Sequence, residues 1–102
     1  MAPTPEAKVK RKVTQILKEL GCYYFYPVTG GFGRSGVPDI IACYKGFFVG
    51  IECKSGKNRP TALQEKNLND IDNADGIALV VNEDNLPTLK ATLEQSIIPW
   101  EI

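Results

Sequence analysis

The sequence predicts a single α/β domain of 102 residues in which helices flank a mixed β-sheet, in the order α-β-β-β-α-β-α. Three observations predict this architecture. Apolar side chains recur at helical spacing over residues 9–20. Two apolar segments, 39–44 and 47–54, flank the turn pair Lys45-Gly46 and are typical of a β-hairpin. A second helical segment precedes an apolar run at 77–81, so a helical crossover leads into the last strand.

The first part of the chain contains a helix, a strand and a loop. Thr4-Pro5 is typical of an N-cap followed by proline at the first helical position, and Gly21 ends the helix. Cys22 to Val28 is rich in aromatic residues and predicts a strand. Its aromatic side chains (Tyr23, Tyr24, Phe25 and Tyr26) are expected in the core, with stacking on unpaired bases as the alternative. The segment 29–36 contains four glycines and is expected to be a flexible loop.

The rest of the chain alternates strands and helices. The hairpin strands are predicted over Asp39–Tyr44 and Phe47–Lys54. A basic loop over Ser55–Pro60 leads into a helix from Thr61 to Ala74, which ends at Asp75-Gly76. The strand over Ile77–Val81 is expected to be buried on both faces. A short helix from Leu86 or Pro87 to Gln95 and the tail Ile97–Ile102 complete the chain.

The composition excludes several classes of function. The chain has no histidine, which excludes Ser-His-Asp and Cys-His nucleophiles, a histidine general base and histidine-ligated metals. Its three cysteines are scattered, so neither a structural zinc site nor a disulfide framework is expected, and a reducing compartment is favoured. No apolar run approaches the ~18–20 residues of a membrane span. We therefore expect a soluble, cytoplasmic domain.

Charge is distributed unevenly although the whole chain is neutral. Residues 1–60 carry ten cationic and four anionic side chains, whereas residues 61–102 carry two and eight, so the two parts have net charges of +6 and −6. This asymmetry predicts that one part of the surface meets a polyanion. The alternative is that a basic helix and an acidic helix each face water.

The hairpin register brings two acidic residues together. If Lys45-Gly46 forms a two-residue turn, the numbers of paired residues always add to 91, and Asp39 lies opposite Glu52. Directly opposed residues on one face have Cβ atoms ~4.5–5.5 Å apart. Lys54 follows Glu52 by two positions and therefore points to the same face.

Two opposed carboxylates predict a metal site. Like charges in this position destabilise a sheet unless a shared proton or a divalent cation offsets the repulsion, and carboxylate oxygens suit Mg²⁺, Mn²⁺ or Ca²⁺. Lys54 can position a nucleophile or stabilise developing negative charge, so metal-assisted hydrolysis is predicted, with Glu6 of the first helix as a further carboxylate. As alternatives, Asp39 caps a strand after Pro38 while Glu52 and Lys54 form a solvated edge, and Glu6 only complements the helix dipole.

The same residues resemble a known nuclease signature. Val37-Pro38-Asp39 followed by Ile51-Glu52-Cys53-Lys54 resembles the PD-(D/E)XK motif. The wider pattern is Gly36-Val37-Pro38-Asp39-Ile40-Ile41, a short hairpin, Glu52-Cys53-Lys54, and Gln64 in the next helix. It is similar to the small stand-alone VRR-NUC domains of phages, over roughly residues 4–82.

The resemblance implies a restriction-endonuclease-like fold and Mg²⁺- or Mn²⁺-dependent cleavage of DNA phosphodiesters. It implies that Asp39, Glu52 and the backbone carbonyl of Cys53 bind the metal, that Glu6 is the first-helix acid and a further ligand, and that Lys54 is the catalytic lysine. The Cys53 side chain is expected to face away from the carboxylates into packing, so it is not expected to be a nucleophile.

Gln64 matches a glutamine that often follows the motif, which implies a supporting catalytic role. The spacing Thr61-x-x-Gln64 is also that of a capping box, which is the alternative for this residue.

Residues around the motif are predicted to bind DNA. Arg34 can hold a phosphate bidentately, Ser35 can donate a hydrogen bond, and Gly36 allows close backbone approach. Similar loops in junction-resolving relatives carry a serine that helps to bind the scissile strand. A flexible connection with one solvent-facing arginine is the alternative. The other predicted phosphate-binding residues are Lys57 and Arg59 after the motif and Lys8, Arg11 and Lys12 on the first helix.

Three functions are compatible with these features. The first is a divalent-metal-dependent DNA endonuclease of phage replication or repair, selective for branched, flap or four-way-junction DNA because the chain has little room for a base-reading module. Such an enzyme is expected to act as a homodimer in the host cytoplasm. The tail residues Ile97, Ile98 and Trp100 are expected at its interface, with packing in the core as the alternative. The second is a non-cleaving module that binds branched DNA, and the third is a regulatory domain whose basic half binds a protein.

Overall fold

The computed structural model describes residues 3–28 and 33–96. Within these ranges the order of elements confirms the predicted α-β-β-β-α-β-α pattern. The elements are α1 (Pro5–Glu19), β1 (Tyr23–Phe25), β2 (Ile40–Tyr44), β3 (Phe47–Cys53), α2 (Ala62–Asn73), β4 (Ile77–Val81), a 3-10 turn (Leu86–Thr88) and α3 (Leu89–Ser96). Among the described residues, no helix combines the length and apolar character that a bilayer crossing requires. The tail residues proposed for an interface lie outside the described ranges.

The four strands form one sheet in the order β1-β2-β3-β4. The first three strands pair antiparallel, whereas β4 runs parallel to β3 because α2 crosses over between them. Lys45 and Gly46 have φ angles of 50° and 86°, as a two-residue type I′ turn requires. Pairing then runs from Tyr44 opposite Phe47 to Ile40 opposite Ile51, so the predicted register is confirmed.

Local capping defines both long helices. The Thr4 side chain accepts a hydrogen bond from the Ala7 N–H at 3.1 Å, and Gly21, with φ of 76°, ends α1 as predicted. The last turn of α2 closes through Asp75, with φ of 67°, and through the Gly76 N–H, which donates to the Ile71 carbonyl at 2.9 Å.

Helices cover both faces of the sheet. One face of the sheet packs against α1 and α3, and this interface is the main core. Gly50 on the opposite face lies under α2, since a Cβ atom added there would approach Ile71 Cδ1 at 2.6 Å. The buried core residues are Val9, Val13 and Leu17 of α1, Ile40, Ala42, Tyr44, Val49, Ile51, Cys53 and Val81 of the sheet, and Leu89 and Leu93 of α3.

Two expectations about the first strand are wrong. The aromatic strand is only three residues long, because Pro27 has no N–H to continue the ladder. Tyr23, Phe25 and Tyr26 are 73%, 46% and 49% exposed, since β1 is an edge strand and α2 packs over β3 and β4 instead. Of the aromatic residues, Tyr24 packs against the core.

Strand β4 is likewise an edge strand among the described residues, so its residues are mostly half-buried rather than, as had been expected, buried on both faces.

Candidate active site

The predicted carboxylate pair lies at the end of the β2–β3 hairpin. The observed register, continued by one residue beyond Ile40 and Ile51, sets Asp39 opposite Glu52. The Glu52 side chain is 2% exposed, and its Oε2 atom lies 3.4 Å from Nζ of Lys54, which is 13% exposed. Lys54 therefore shares a face with Glu52, as predicted. The alternative of a solvated edge for these two residues is wrong, because both side chains are largely enclosed.

Glu52 is a buried carboxylate with a perturbed pKa. Burial, and next the charge of Asp39, raises the pKa of Glu52 to about 7, although Lys54 acts in the opposite direction. The Oε1 atom of Glu52 is buried and has no hydrogen-bond partner among the described residues. A buried acceptor in this state destabilises the fold, so the arrangement favours a proton or a bound cation.

Asp39 is held by two different contacts. Its Oδ2 atom accepts a hydrogen bond from the Cys53 N–H at 2.9 Å, which fixes the carboxylate at the end of the strand pair. Its Oδ1 atom lies 3.8 Å from Nζ of Lys10 on α1. The strand-capping alternative thus describes one oxygen of Asp39, while the other faces a cation.

Lys10 was not predicted as a site residue. The available signal was its position four residues after Glu6, which places both side chains on one face of α1.

Pro38 and Gly50 position Asp39. Pro38 is buried directly over Gly50, and a Cβ atom at position 50 would lie 3.0 Å from Pro38 Cγ. A glycine inside an otherwise apolar strand is the sequence signal for such a close approach. The proline of the motif therefore packs against the sheet, and this packing places Asp39 at the end of the β2–β3 strand pair.

The remaining predicted ligands are less closely gathered. Glu6 is half-buried in the first turn of α1 and makes the smallest of the contributions that raise the pKa of Glu52. Within residues 3–28 and 33–96, no three His, Cys, Asp or Glu side chains are grouped closely enough to hold a metal ion. The preformed acidic site is therefore the pair Asp39 and Glu52, and the metal-binding role of Glu6 stays a prediction.

Cys53 behaves as expected for a packing residue. Its side chain is fully buried in the core on the face away from Glu52, and burial raises the pKa of its thiol to about 12. A thiol in this state is not a nucleophile at neutral pH.

Gln64 forms the capping box that was its alternative role. Its N–H donates to Thr61 Oγ1 at 3.2 Å, and its Oε1 atom accepts from the Thr61 N–H at 2.9 Å. The side-chain oxygen is thus engaged at the start of α2, and a supporting catalytic role for Gln64 stays a prediction.

The loop before Pro38 is fastened to α2. Arg34 Nη2 lies 2.7 Å from Asp70 Oδ2, so part of the guanidinium group is engaged by a carboxylate that also binds Lys66 at 3.0 Å. The carbonyl of Ser35 accepts a hydrogen bond from the buried Asn67 amide at 3.1 Å. Sequence reasoning missed Asn67 and Asp70 because their contacts with the loop span more than thirty positions of the chain.

The positive φ of Gly36 is structurally required. At φ of 75° its backbone passes so close to α2 that an added Cβ atom would lie 2.6 Å from Leu63 Cγ and 3.1 Å from the backbone carbon of Leu63. This close packing fixes the loop that carries the exposed Arg34 and Ser35 against α2.

The other predicted DNA-binding residues lie on exposed surface (Lys8, Arg11, Lys12, Lys57 and Arg59). Glu83 interacts with two of these segments. It accepts a hydrogen bond from the Gly56 N–H at 2.9 Å. Hydrogen bonds from its own backbone N–H and from that of Gly56 lower the pKa of Glu83, and the positive charge of Lys12 contributes. Glu83 is therefore hydrogen-bonded to the loop after the motif and lies within electrostatic reach of Lys12 on α1.

The donor set fits a hard divalent cation. It consists of the carboxylates of Asp39 and Glu52. The buried Oε1 atom of Glu52 has no hydrogen-bond donor in the described part of the chain. Mg²⁺ is bound in proteins through one or two carboxylates and otherwise by water and substrate phosphates, which suits a pair better than a complete cage. Lys54 adds a positive charge to the same end of the sheet. This combination is suited to hydrolysis of a phosphodiester.

Comparison with known families agrees with this chemistry. The family model described as archaeal Holliday junction resolvase (hjc) matches residues 4–74, that is 71 of the 102 residues. The match spans α1, the hairpin and α2, and so includes the candidate site. This family is of the PD-(D/E)XK type, which confirms that part of the resemblance, while the narrower VRR-NUC and phage affiliation stays a prediction. No curated protein matches the chain.

Proposed function

Since the chain belongs to the archaeal Holliday junction resolvase family, whose members are junction-cleaving nucleases, we propose that it is a divalent-metal-dependent endonuclease that cuts four-way DNA junctions. The single observation that carries this proposal is the enclosed Asp39–Glu52 pair beside Lys54, with the pKa of Glu52 raised by burial. A DNA-binding module has no use for two acidic groups held against the phosphates it must attract.

Each residue of the site has a chemical task in this proposal. Asp39 and Glu52 would hold Mg²⁺ or Mn²⁺ together with the backbone carbonyl of Cys53 and, as a further ligand, Glu6. A dication bound there supplies charge neutralisation at the phosphate and an acidified water. Lys54 keeps its ammonium group in place through Glu52 and donates to the phosphate oxygens on which negative charge develops. Gln64 would have a supporting role through its amide nitrogen.

The basic surface beside the site is proposed to bind the DNA backbone. Arg34, Ser35 and Gly36 approach the scissile strand from the loop fastened to α2, and Asp70 holds the guanidinium group in position until a phosphate replaces it. The proposed steering residues for the flanking phosphates are Lys8, Arg11, Lys12, Lys57 and Arg59. Phosphate contacts of this kind read the shape of a branch rather than its sequence.

A four-way junction is resolved by cuts in two symmetry-related strands. We therefore propose that the protein acts as a homodimer with two-fold symmetry, which presents one active site to each strand. A plasmid-borne cruciform tests this directly. A dimer that makes coordinated cuts converts the supercoiled plasmid into linear product, whereas a monomer leaves nicked circles, and sedimentation at the assay concentration gives the oligomeric state.

The activity is tested on a four-way junction, a flap and a linear duplex that share strands. Each is incubated with Mg²⁺, Mn²⁺ or EDTA and with the wild type, Lys54→Met or Glu52→Gln. We expect junction cleavage by the wild type in metal, none in EDTA and none with either variant. Lys18→Met is the matched control, because it removes a lysine from the exposed last turn of α1.

Each other function has a distinct outcome in the same assay. Retention of the junction in a gel without cutting, equal in metal and EDTA, would show a binding module. No interaction with any DNA would support the regulatory domain. Circular dichroism of each variant confirms that lost cleavage is not lost folding.

A further inference from the structure

Lys10 lies at the site, but the proposed cleavage of DNA assigns it no role. Its Nζ atom lies 3.8 Å from Asp39 Oδ1, and its side chain is 35% exposed. We propose that Lys10 is an internal counter-ion of Asp39 that a divalent cation displaces, and that the displaced ammonium group then binds a DNA phosphate. This inference rests on the proposed function, because it assigns Lys10 to the same metal and the same DNA.

The two lysines of the site are held very differently. Lys54 is 13% exposed and reaches Glu52 from two positions along the same strand end, so it has little freedom to leave. Lys10 reaches Asp39 from a separate helix, through a longer contact and with about a third of its side chain in water. A loose, part-exposed ion pair contributes little stability and exchanges readily. Lys10 is therefore the lysine that can move.

Lys10 faces the oxygen that a cation would need. Asp39 Oδ2 already accepts a hydrogen bond from the Cys53 N–H, whereas Oδ1 is the oxygen that is paired with Lys10. The ammonium group of Lys10 lies at that atom, so Lys10 and a dication compete for the same oxygen. The buried Val9 and Val13 fix the α1 backbone, so Lys10 leaves Asp39 by rotation about the bonds of its flexible side chain.

Competition of this kind couples the two ligands. Without metal, the Lys10 charge is paired with Asp39 and contributes nothing to phosphate binding. With metal bound, the same charge is free at the site, on the face of α1 that carries Glu6 and away from the face that carries Lys8, Arg11 and Lys12. Because binding linkage is reciprocal, DNA that takes up the Lys10 ammonium group must also strengthen metal binding.

The first measurement is metal binding without DNA. Isothermal titration with Mn²⁺ compares the wild type, Lys10→Met and Lys18→Met. Loss of the competing charge is expected to tighten Mn²⁺ binding by Lys10→Met about fivefold, the factor that a loose ion pair of ~1 kcal/mol represents. Lys18→Met, on the same helix but ~12 Å along its axis, is expected to match the wild type.

The second measurement is the salt dependence of junction binding, in EDTA and in Ca²⁺, with uncut DNA verified on a gel. In Ca²⁺ the slope of log K against log salt should be smaller in magnitude by ~0.9 for Lys10→Met than for the wild type, since one phosphate contact is missing. In EDTA the two slopes should agree. Lys8→Met is the contrasting variant, because an ordinary surface cation lowers the slope equally in both conditions.

Lys10→Met is thus expected to bind Mn²⁺ more tightly and, in Ca²⁺, to make one phosphate contact fewer. Loss of a lysine with a merely structural role would not produce both effects. Mn²⁺ affinity that is unchanged or weaker in Lys10→Met would overturn the inference, as would a slope change that is equal in EDTA and Ca²⁺. If the wild type neither binds Mn²⁺ nor cuts a junction, the proposed function itself fails. If the wild type does both while Lys10→Met behaves as Lys18→Met, only the role of Lys10 fails.

Discussion

Replacement of Glu52 by glutamine should stabilise the metal-free protein at neutral pH. Glu52 is buried to 1% exposure, and its Oε1 atom has no hydrogen-bond partner within the described ranges. Burial, and next the charge of Asp39, raises its pKa from 4.5 to about 7. The folded state therefore favours the neutral form of this side chain, and glutamine is a permanent neutral analogue of nearly equal shape.

The magnitude and sign follow from proton linkage. Between pH 4.5 and about 7 the folded protein binds more protons than the unfolded chain, so the free energy of unfolding of the wild type falls as pH rises through this range. At ~1.4 kcal/mol per pH unit the loss reaches ~3 kcal/mol above pH 7. This value is a ceiling for Glu52→Gln, because glutamine leaves Lys54 without its ion partner. We expect a gain of ~1–3 kcal/mol at pH 8, where each kcal/mol raises Tm by ~4–8 °C for a domain of this size.

Thermal unfolding in EDTA at pH 4.5 and pH 8 measures this effect. Glu52→Gln should unfold at a higher temperature than the wild type at pH 8 and at nearly the same temperature at pH 4.5. Glu83→Gln is the matched control, since its exposed carboxylate has a lowered pKa and its loss cannot stabilise the fold. Added Mg²⁺ should raise Tm for the wild type and not for Glu52→Gln. A variant that is less stable at pH 8, or whose gain is the same at both pH values, would show that the buried charge of Glu52 does not destabilise the metal-free fold.

Three further predictions concern the surface around the site. Gly36→Ala should lower the free energy of unfolding by ~2 kcal/mol or more in denaturant unfolding, because it adds a clash with Leu63 to backbone strain. The control Gly21→Ala has the same sign of φ but no described atom within 4 Å of the added Cβ, so it should lower that free energy by ~1 kcal/mol. Equal losses would contradict the close approach at α2. Asn67→Ala should cost ~1–3 kcal/mol and weaken junction binding by releasing the loop, as unfolding and gel-shift titrations would measure; unchanged binding would show that the loop is not used. Lys57→Gln should leave Tm unchanged and reduce the salt slope of junction binding by ~1, and a flat salt response of the wild type would remove the steering role of the basic surface.

The core of the site was predictable because it lies within one hairpin. The turn residues Lys45-Gly46 determine the register, and the two-residue period of a strand then determines which side chains share a face. Asp39, Glu52 and Lys54 meet for these local reasons alone. The caps of α1 and α2 were predictable for the same reason, since their contacts span only three residues.

The features that sequence reasoning missed depend on how elements pack. Lys10 reaches Asp39 only because α1 crosses the sheet at the end of the hairpin, and Arg34 meets Asp70 across 36 positions. The exposure of Tyr23 and Phe25 depends on β1 lying at the edge of the sheet, which the alternation of side chains within a strand does not reveal. Edge position and helix placement are properties of the whole fold, so a short segment carries little information about them.

The most direct test is to locate a bound cation. A crystal of the wild type soaked in Mn²⁺ and measured for anomalous scattering should show one strong peak per chain between the carboxylates of Asp39 and Glu52, with Glu52 Oε1 as a ligand and Lys10 turned away from Asp39. A peak elsewhere, or a saturated crystal in which Glu52 remains paired only with Lys54, would show that the two carboxylates do not hold the metal.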